Sequence, residues 1–142
     1  MKVKVTPSKV HGNVKIPASK SMAHRALICA SLSDGTSIVS NVTNSKDIEA
    51  TVGCMKALGA IIKQIDETTY EVTGTNLFKQ EGNITCNANE SGSTLRFLIP
   101  LAACTNAKVK FLGQGRLLQR PMDVYENEFK KQNIEFNQSN QE

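Results

Sequence analysis

The sequence predicts an α/β fold built from two consecutive, related units. Runs that alternate apolar and polar residues, typical of strands, take turns with runs in which apolar residues recur every three or four positions, typical of helices. Both Arg25 and Arg96 stand at the start of such a helical run. Each is followed at the same interval by the start of a strand-like run, at Ser37 and at Lys108. This register indicates a tandem repeat of one supersecondary unit.

The first unit is predicted to follow the order strand, helix, strand, helix, strand, strand. Asp34-Gly35 is a turn signal between a helix and a β-branched run, and Gly59 can end the second helix. Asp66-Glu67-Thr68 separates two apolar runs, as in a hairpin. The predicted elements are strands at 2–5 and 14–16, a helix at 20–32, a strand at 36–42, a helix at 46–58, and strands at 60–65 and 69–73.

The second unit repeats this order but stops early. Pro121 suits the first position of its second helix. Nothing after Phe136 corresponds to the return strand at 69–73, so we expect the chain to be a truncated piece of a longer protein. A natural polar tail is the alternative. The predicted elements are strands at 83–87, 108–112 and 134–136, and helices at 95–104 and 121–132.

Length and composition suit a single globular domain that does not bind nucleic acid. The chain has 142 residues and a formal net charge of +4, and its Lys and Arg residues form no long run. The few Tyr and Phe residues are not interleaved with basic ones, which argues against a surface for stacking bases. No signal-peptide pattern or membrane-spanning apolar run is present, so we expect a cytoplasmic protein without membrane contact.

Four cysteines, widely spaced and each in an apolar context, are predicted to be reduced thiols in the core. They form no CxxC pair and have no neighbouring His pair, which argues against a metal site or a disulfide framework. The cysteines are Cys29, Cys54, Cys86 and Cys104.

The junction from Pro17 to Arg25 is predicted to bind an anion. The first N–H groups of a helix have no partner within it, and the helix dipole favours negative charge there. Lys20 and Ser21 lie at this end, and Arg25, four residues after Ser21, shares its face. Solvated cations beside a Ser N-cap are the ordinary alternative. We favour an anion site because these cations oppose the dipole and no Asp or Glu lies nearby in the sequence.

Two further strand-to-helix junctions have similar chemistry. Gly92 allows a ligand close to the backbone, beside the hydroxyls of Ser93 and Thr94. Arg120 follows a loop with two glycines and precedes Pro121, where its guanidinium can hold a carboxylate or phosphate with two hydrogen bonds. Taken singly, the first is more simply a helix cap, and the second is explained equally well as an exposed loop residue. Their equivalent positions nevertheless predict that all three junctions converge on one edge of an α/β layer.

The three junctions together resemble signatures of the EPSP synthase (3-phosphoshikimate 1-carboxyvinyltransferase) family. In order, they read PASKSMAHRAL, NESGSTLRFL and GQGRLLQRPM. The resemblance implies an inside-out α/β barrel with two domains, each of three βαβαββ units, around a cleft. Residues 1–142 would then be a truncated part of the N-terminal lobe. They would comprise a hinge-side strand at 1–12, a first βαβαββ unit at 13–74 and an incomplete second unit at 83–142.

The resemblance also implies an activity and a set of site residues. The intact parent would move the enolpyruvyl group of phosphoenolpyruvate to the 5-hydroxyl of shikimate 3-phosphate, in aromatic amino-acid biosynthesis. Lys20, Ser21 and Arg25 would bind shikimate 3-phosphate. Phosphoenolpyruvate would contact Gly92, Arg120 and again Lys20, which is the expected catalytic residue. The parent would be a monomer without metal or organic cofactor, and this chain alone would be inactive because the family's later acid/base residues are absent.

One departure and two alternatives accompany this interpretation. Glu90 stands where many relatives have Asn, which adds a carboxylate near an anion site. A relative that acts on UDP-N-acetylglucosamine is one alternative, although the basic pair Lys20 and Arg25 better suits a sugar-like phosphate. The other is a non-catalytic anion-binding module complete at 142 residues.

Overall fold

The computed structural model describes residues 2–138, which fold into four helices and five strands. Two short 3-10 turns, Leu77–Lys79 and Gly115–Gln119, interrupt the second half. Met1 and residues 139–142, the last part of the predicted second unit, lie outside the described residues. In chain order the elements are α1 (Lys20–Leu32), β1 (Thr36–Val39), α2 (Lys46–Ala57), β2 (Ile61–Gln64), β3 (Tyr70–Thr73), β4 (Glu81–Asn87), α3 (Gly92–Ala102), β5 (Asn106–Leu112) and α4 (Asp123–Lys131).

The strands form two separate sheets, one in each half. The first is antiparallel with the order β1-β3-β2, and Thr73 of β3 lies opposite both Thr36 and Ile61. The predicted hairpin is therefore confirmed, and the Asp66 carboxylate accepts a hydrogen bond from the Thr68 amide in its turn. The second sheet pairs β4 with β5 in parallel, from Glu81 opposite Asn106 to Asn87 opposite Leu112.

The main core forms around α2, which packs against α1, α3 and β4. Its apolar positions recur at helical spacing, and side chains from all these elements are fully buried with it. Burying such side chains is the main stabilising contribution to a fold of this size. The largest of them are Leu27, Ile48, Met55, Leu58, Val72 and Leu98.

A second, smaller cluster joins α3 to α4. Phe129 meets Phe136 edge to face, with ring centroids 5.6 Å apart, and Ile99 and Met122 pack beside them. Pro100 lies inside α3 and has no N–H to donate to the Arg96 carbonyl one turn earlier. The Tyr125 hydroxyl of α4 donates to that carbonyl instead, at 3.0 Å. Because of the proline, the Arg96 carbonyl is free to accept a hydrogen bond that joins α3 to α4.

Three predicted strands are wrong. Residues 2–5 and 14–16 form no strand, and Val3, Val5, Val14 and Ile16 are exposed. Residues 134–136 form no strand either, although Ile134 and Phe136 pack against the second cluster. A strand needs a neighbour for its backbone hydrogen bonds, and within residues 2–138 these segments have none.

Two helix boundaries and two cysteines also differ from expectation. α4 begins at Asp123 rather than at Pro121, because Arg120 has an extended backbone and Met122 is the N-cap. α3 begins at Gly92 rather than at residue 95, since Ser91 caps it.

Cys54 and Cys86 are buried as predicted, but Cys29 and Cys104 are exposed, since each lies on the outer side of its helix or just beyond its end. No helix in the described part of the chain is long and apolar enough to cross a membrane.

Candidate functional site

The first turns of α1, α2 and α3 meet at one edge of the core. Lys20, the first residue of α1, pairs with Asp47 of α2, with 2.6 Å between Nζ and Oδ2. The Thr94 hydroxyl of α3 donates to the Asp47 carbonyl at 3.2 Å. The free N–H groups and positive dipole ends of three helices are thus concentrated in one region.

Serine starts each of these helices. The hydroxyls of Ser19, Ser45 and Ser91 each accept a hydrogen bond from the amide three residues later, at 3.2–3.3 Å. Such a cap is worth about 0.5–2 kcal/mol to a helix. The first turns of α1 and α3 contain no acidic residue of their own. The positive ends of these two helix dipoles therefore favour negative charge, which the Asp47 carboxylate supplies beside Lys20 on α1.

On α1, Ser21 and Arg25 are in direct contact, as their spacing predicts. Arg25 Nη1 donates to the Ser21 carbonyl at 2.9 Å and also to its hydroxyl. The guanidinium lies 4.8 Å from the centre of the Phe97 ring on α3. A planar cation stacked on an aromatic face is held in a defined orientation while its outer N–H groups stay open to a ligand.

Lys20 differs from expectation in one respect. The sequence suggested that no acidic residue relieves the cations of this helix, but Asp47 does so from another helix. Their side chains remain 54% and 34% exposed, so the pair is at the surface. An ammonium group has three donors, and Lys20 can therefore keep Asp47 while it donates to an anion. Asp47 therefore holds Lys20 at this edge of the core, where its ammonium group can still bind an anion.

The second and third junctions also lie together. A Cβ atom on Gly92 would lie too close to the guanidinium of Arg120, so a larger residue at this position would require the end of the arginine side chain to shift. Parallel pairing of β4 and β5 brings the two loops side by side, and the Gln114 amide donates to the Asn89 carbonyl at 2.7 Å. The structure thus places Arg120 at a helix N-terminus other than the one that follows it in sequence.

Glu90 lies between these two loops. A Cβ atom on Gly115 would come within 2.7 Å of a Glu90 carboxylate oxygen, so the carboxylate lies over the loop that leads to Arg120. Gly115 also has a φ of 56°, which favours glycine. The site therefore contains two carboxylates, Asp47 and Glu90, among its cations.

Sequence reasoning missed a run of buried polar side chains beneath this edge. His24, Thr51, Thr94 and Ser91 are all 2% exposed or less. They are joined in that order by contacts of 2.7 Å each, from His24 Nδ1 through the two threonine hydroxyls to the Ser91 hydroxyl. Each side chain belongs to an ordinary helical pattern, so only the tertiary structure shows that they meet.

Within residues 2–138, no three His, Cys, Asp or Glu side chains come close enough to hold a metal ion. The polar groups of the site in this part of the chain are N–H groups, hydroxyls, an ammonium, two guanidiniums and the carboxylates of Asp47 and Glu90.

Comparison with known proteins identifies one family that the chain resembles over most of its length. The family model described as EPSP synthase (3-phosphoshikimate 1-carboxyvinyltransferase) matches residues 4–142. The 3-phosphoshikimate 1-carboxyvinyltransferase of Clostridium perfringens strain SM101 is 50% identical, over 95% of this chain and 32% of that protein. The protein of the same name from Clostridioides difficile strain 630 is 46% identical, over 94% and 32% respectively. The chain spans about a third of the length of these relatives.

Among solved structures, an EPSP synthase from Acinetobacter baumannii superposes with a TM-score of 0.73. It is 19% identical, and the match covers 87% of this chain and 28% of that one. This likeness confirms the predicted α/β fold class.

We expect acid to destabilise the fold through His24. Burial lowers the pKa of His24 from its ordinary 6.5, and Lys20 and Arg25 reinforce this against the opposing charge of Asp47. The unfolded chain therefore binds the proton more tightly, and stability is lost as the pH falls from 6.5 towards the lower folded pKa. The midpoint of thermal unfolding, followed by circular dichroism from about pH 7 to pH 5, should fall.

His24→Asn should show a smaller fall, and His11→Asn, which changes an exposed histidine, should behave like the unsubstituted chain. An equal fall in all three proteins would contradict the assignment to His24.

Proposed function

The chain belongs to the EPSP synthase family, and we propose that the protein carrying it transfers the enolpyruvyl group of phosphoenolpyruvate to the 5-hydroxyl of shikimate 3-phosphate, with release of phosphate. One observation carries the proposal. The side chains that match the family's signatures, although far apart in sequence, meet at the converging first turns of α1, α2 and α3. Two anionic substrates need such a concentration of cations and free N–H groups.

Shikimate 3-phosphate is the ligand proposed for α1. Lys20, Ser21 and Arg25 offer an ammonium, a hydroxyl and a guanidinium on the first turns of one helix. Arg25 is already oriented by Ser21 and Phe97, so little side-chain freedom is lost when a phosphate arrives. Each charge-assisted hydrogen bond to the phosphate contributes about 1.5–3 kcal/mol.

Phosphoenolpyruvate is proposed to bind between the first turn of α3 and Arg120. Gly92 leaves the backbone N–H groups open, and the guanidinium beside it can hold a carboxylate or phosphate with two parallel hydrogen bonds. Lys20, paired with Asp47 next to Thr94, is proposed to lie between the two substrates and to contact both. It would be the catalytic residue of this part of the protein, since its charge favours departure of the phosphate group.

The remaining steps need other groups. Transfer requires a proton at the methylene carbon of phosphoenolpyruvate and removal of one from the 5-hydroxyl. The residues assigned here bind and orient two anions, a positioning and electrostatic role. In this proposal residues 13–74 and 83–142 form one wall of the cleft, within the N-terminal lobe.

We expect the 142-residue chain by itself to release no phosphate when both substrates are supplied, because it spans about a third of the length of its relatives and none of the residues assigned here transfers a proton. A coupled assay for phosphate measures this, with Lys20→Ala as the background. Turnover clearly above that background would contradict the division of roles. Absence of turnover also from the full-length protein would favour a non-catalytic anion-binding module.

Shikimate 3-phosphate should bind this chain weakly, and Arg25→Ala should reduce the binding below what an NMR titration detects. Loss of one charge-assisted contact costs about 1.5–3 kcal/mol, or roughly 10- to 100-fold in affinity. Amide shifts in an NMR titration provide the measurement. The control is Lys56→Ala, which removes an exposed cation from the last turn of α2. Shifts that persist unchanged in Arg25→Ala would place the site elsewhere.

Arg120→Lys in the full-length protein should raise the KM for phosphoenolpyruvate strongly and leave that for shikimate 3-phosphate nearly unchanged. Lysine offers a point charge where arginine offers two aligned donors. Steady-state kinetics with one substrate varied at a time test this. Arg116→Lys is the matched control, since Arg116 lies in the same loop and carries no assigned role. A larger effect from Arg116→Lys would show that the loop's conformation matters rather than the contact of Arg120.

A further inference from the structure

We propose that the buried chain from His24 through Thr51 and Thr94 to Ser91 positions the Gly92 turn for phosphoenolpyruvate, with His24 Nδ1 as the donor that fixes its direction. This inference rests on the proposed function, since it concerns the same site. None of the four side chains is assigned a contact with substrate. They are positioning residues, and their effect would pass through the backbone at the start of α3.

The hydrogen-bonded chain formed by these four side chains is continuous and buried. His24 Nδ1 lies 2.7 Å from Thr51 Oγ1, which lies 2.7 Å from Thr94 Oγ1. Thr94 Oγ1 in turn lies 2.7 Å from Ser91 Oγ. Both threonine hydroxyls also lie within hydrogen-bond distance of the Asp47 carbonyl, at 3.3 and 3.2 Å. With every member at most 2% exposed, each must find its partner inside the protein.

The number of available hydrogens decides which groups donate along this hydrogen-bonded chain. Five contacts join the four side chains and the Asp47 carbonyl, and each needs one hydrogen. The Ser91 hydroxyl accepts in its contact with Thr94, so the two threonine hydroxyls supply two hydrogens. If His24 Nδ1 carries a proton, three of the five contacts are made at a time; if it does not, two are made. An unmade hydrogen bond in a buried site is costly, so the network favours the state in which Nδ1 donates to Thr51.

The far end of the chain controls the phosphoenolpyruvate side. Ser91 is the N-cap of α3, and its hydroxyl accepts from both the amide and the hydroxyl of Thr94. Gly92 is the next residue, and its lack of a side chain leaves room for Arg120 in its present position. A change in the Ser91–Thr94 contacts would therefore move Gly92 against the guanidinium. Ser21 and Arg25 contact each other on α1, and Arg25 also lies over Phe97 of α3, but neither contact involves one of these four side chains.

The two substrates should respond differently as a result. In the full-length protein, Thr94→Val, which keeps the shape but removes the hydroxyl, should raise the KM for phosphoenolpyruvate roughly tenfold, as expected for one lost buried hydrogen bond. The KM for shikimate 3-phosphate should change by less than about twofold, and Thr94→Ser should recover most of the loss. A matched control is Thr36→Val, because Thr36 makes a similar hydroxyl contact of 2.9 Å with Thr73 in the first sheet, away from the site.

Equal changes in both KM values, no change in either, or no recovery in Thr94→Ser would overturn the inference. If the unsubstituted protein releases no phosphate from the two substrates, the proposed function fails and this inference fails with it. If the unsubstituted protein is active but Thr94→Val changes the KM values for both substrates equally, this inference alone is overturned.

A second measurement is made on the unsubstituted protein. The side-chain ¹⁵N signals of His24 in the unsubstituted protein, assigned by their loss in His24→Gln, distinguish a protonated Nδ1 from an unprotonated one. We expect a protonated Nδ1 near neutral pH. An unprotonated Nδ1 would overturn the direction assigned here, even if the Thr94→Val protein did not fold.

Discussion

The arrangement of α1, α2 and α3 depends on the hydrogen bonds of the Thr51 hydroxyl. It lies on α2, within hydrogen-bond distance of His24 on α1 and of Thr94 on α3. The same helix supplies Asp47, whose carbonyl accepts from Thr94 and whose carboxylate holds Lys20. Apolar packing restricts how helices can rotate against each other, and short buried hydrogen bonds narrow both rotation and register further. The alignment of the first turns follows from this constraint.

The sequence predicted the helices and the first sheet well, because these depend on local signals. Serine caps, helical spacing of apolar residues and the Asp66 turn all act within a few residues of one another. The segments at 2–5, 14–16 and 134–136 show the limit of such signals. Alternation makes a segment suitable for a sheet, but a strand forms only beside another strand, and that partner is a tertiary property.

The contacts of the candidate site likewise divide into those that sequence rules predict and those that only the tertiary structure shows. The contact of Ser21 with Arg25 follows from helical spacing, and the proximity of Gly92 to Arg120 from the rule that loops after parallel strands share an edge. The pairing of Lys20 with Asp47 joins residues from different helices, and no spacing rule gives it. The chain from His24 to Ser91 was hidden for a further reason. Its threonines occupy core positions of helices, where a pattern of apolarity gives no sign of hydrogen bonding.

The cysteines lend themselves to chemical labelling of the contact between the two halves. Cys54 of α2 and Cys86 of β4 meet in the core, where the Cys86 thiol donates to the Cys54 carbonyl at 3.8 Å. The interaction with the Cys86 side chain, together with burial, raises the pKa of the Cys54 thiol. Cys29 and Cys104 are open to solvent. A thiol reagent should modify the exposed pair at once. The buried pair would react only when the halves separate or unfold, so its rate would report how often that interface opens.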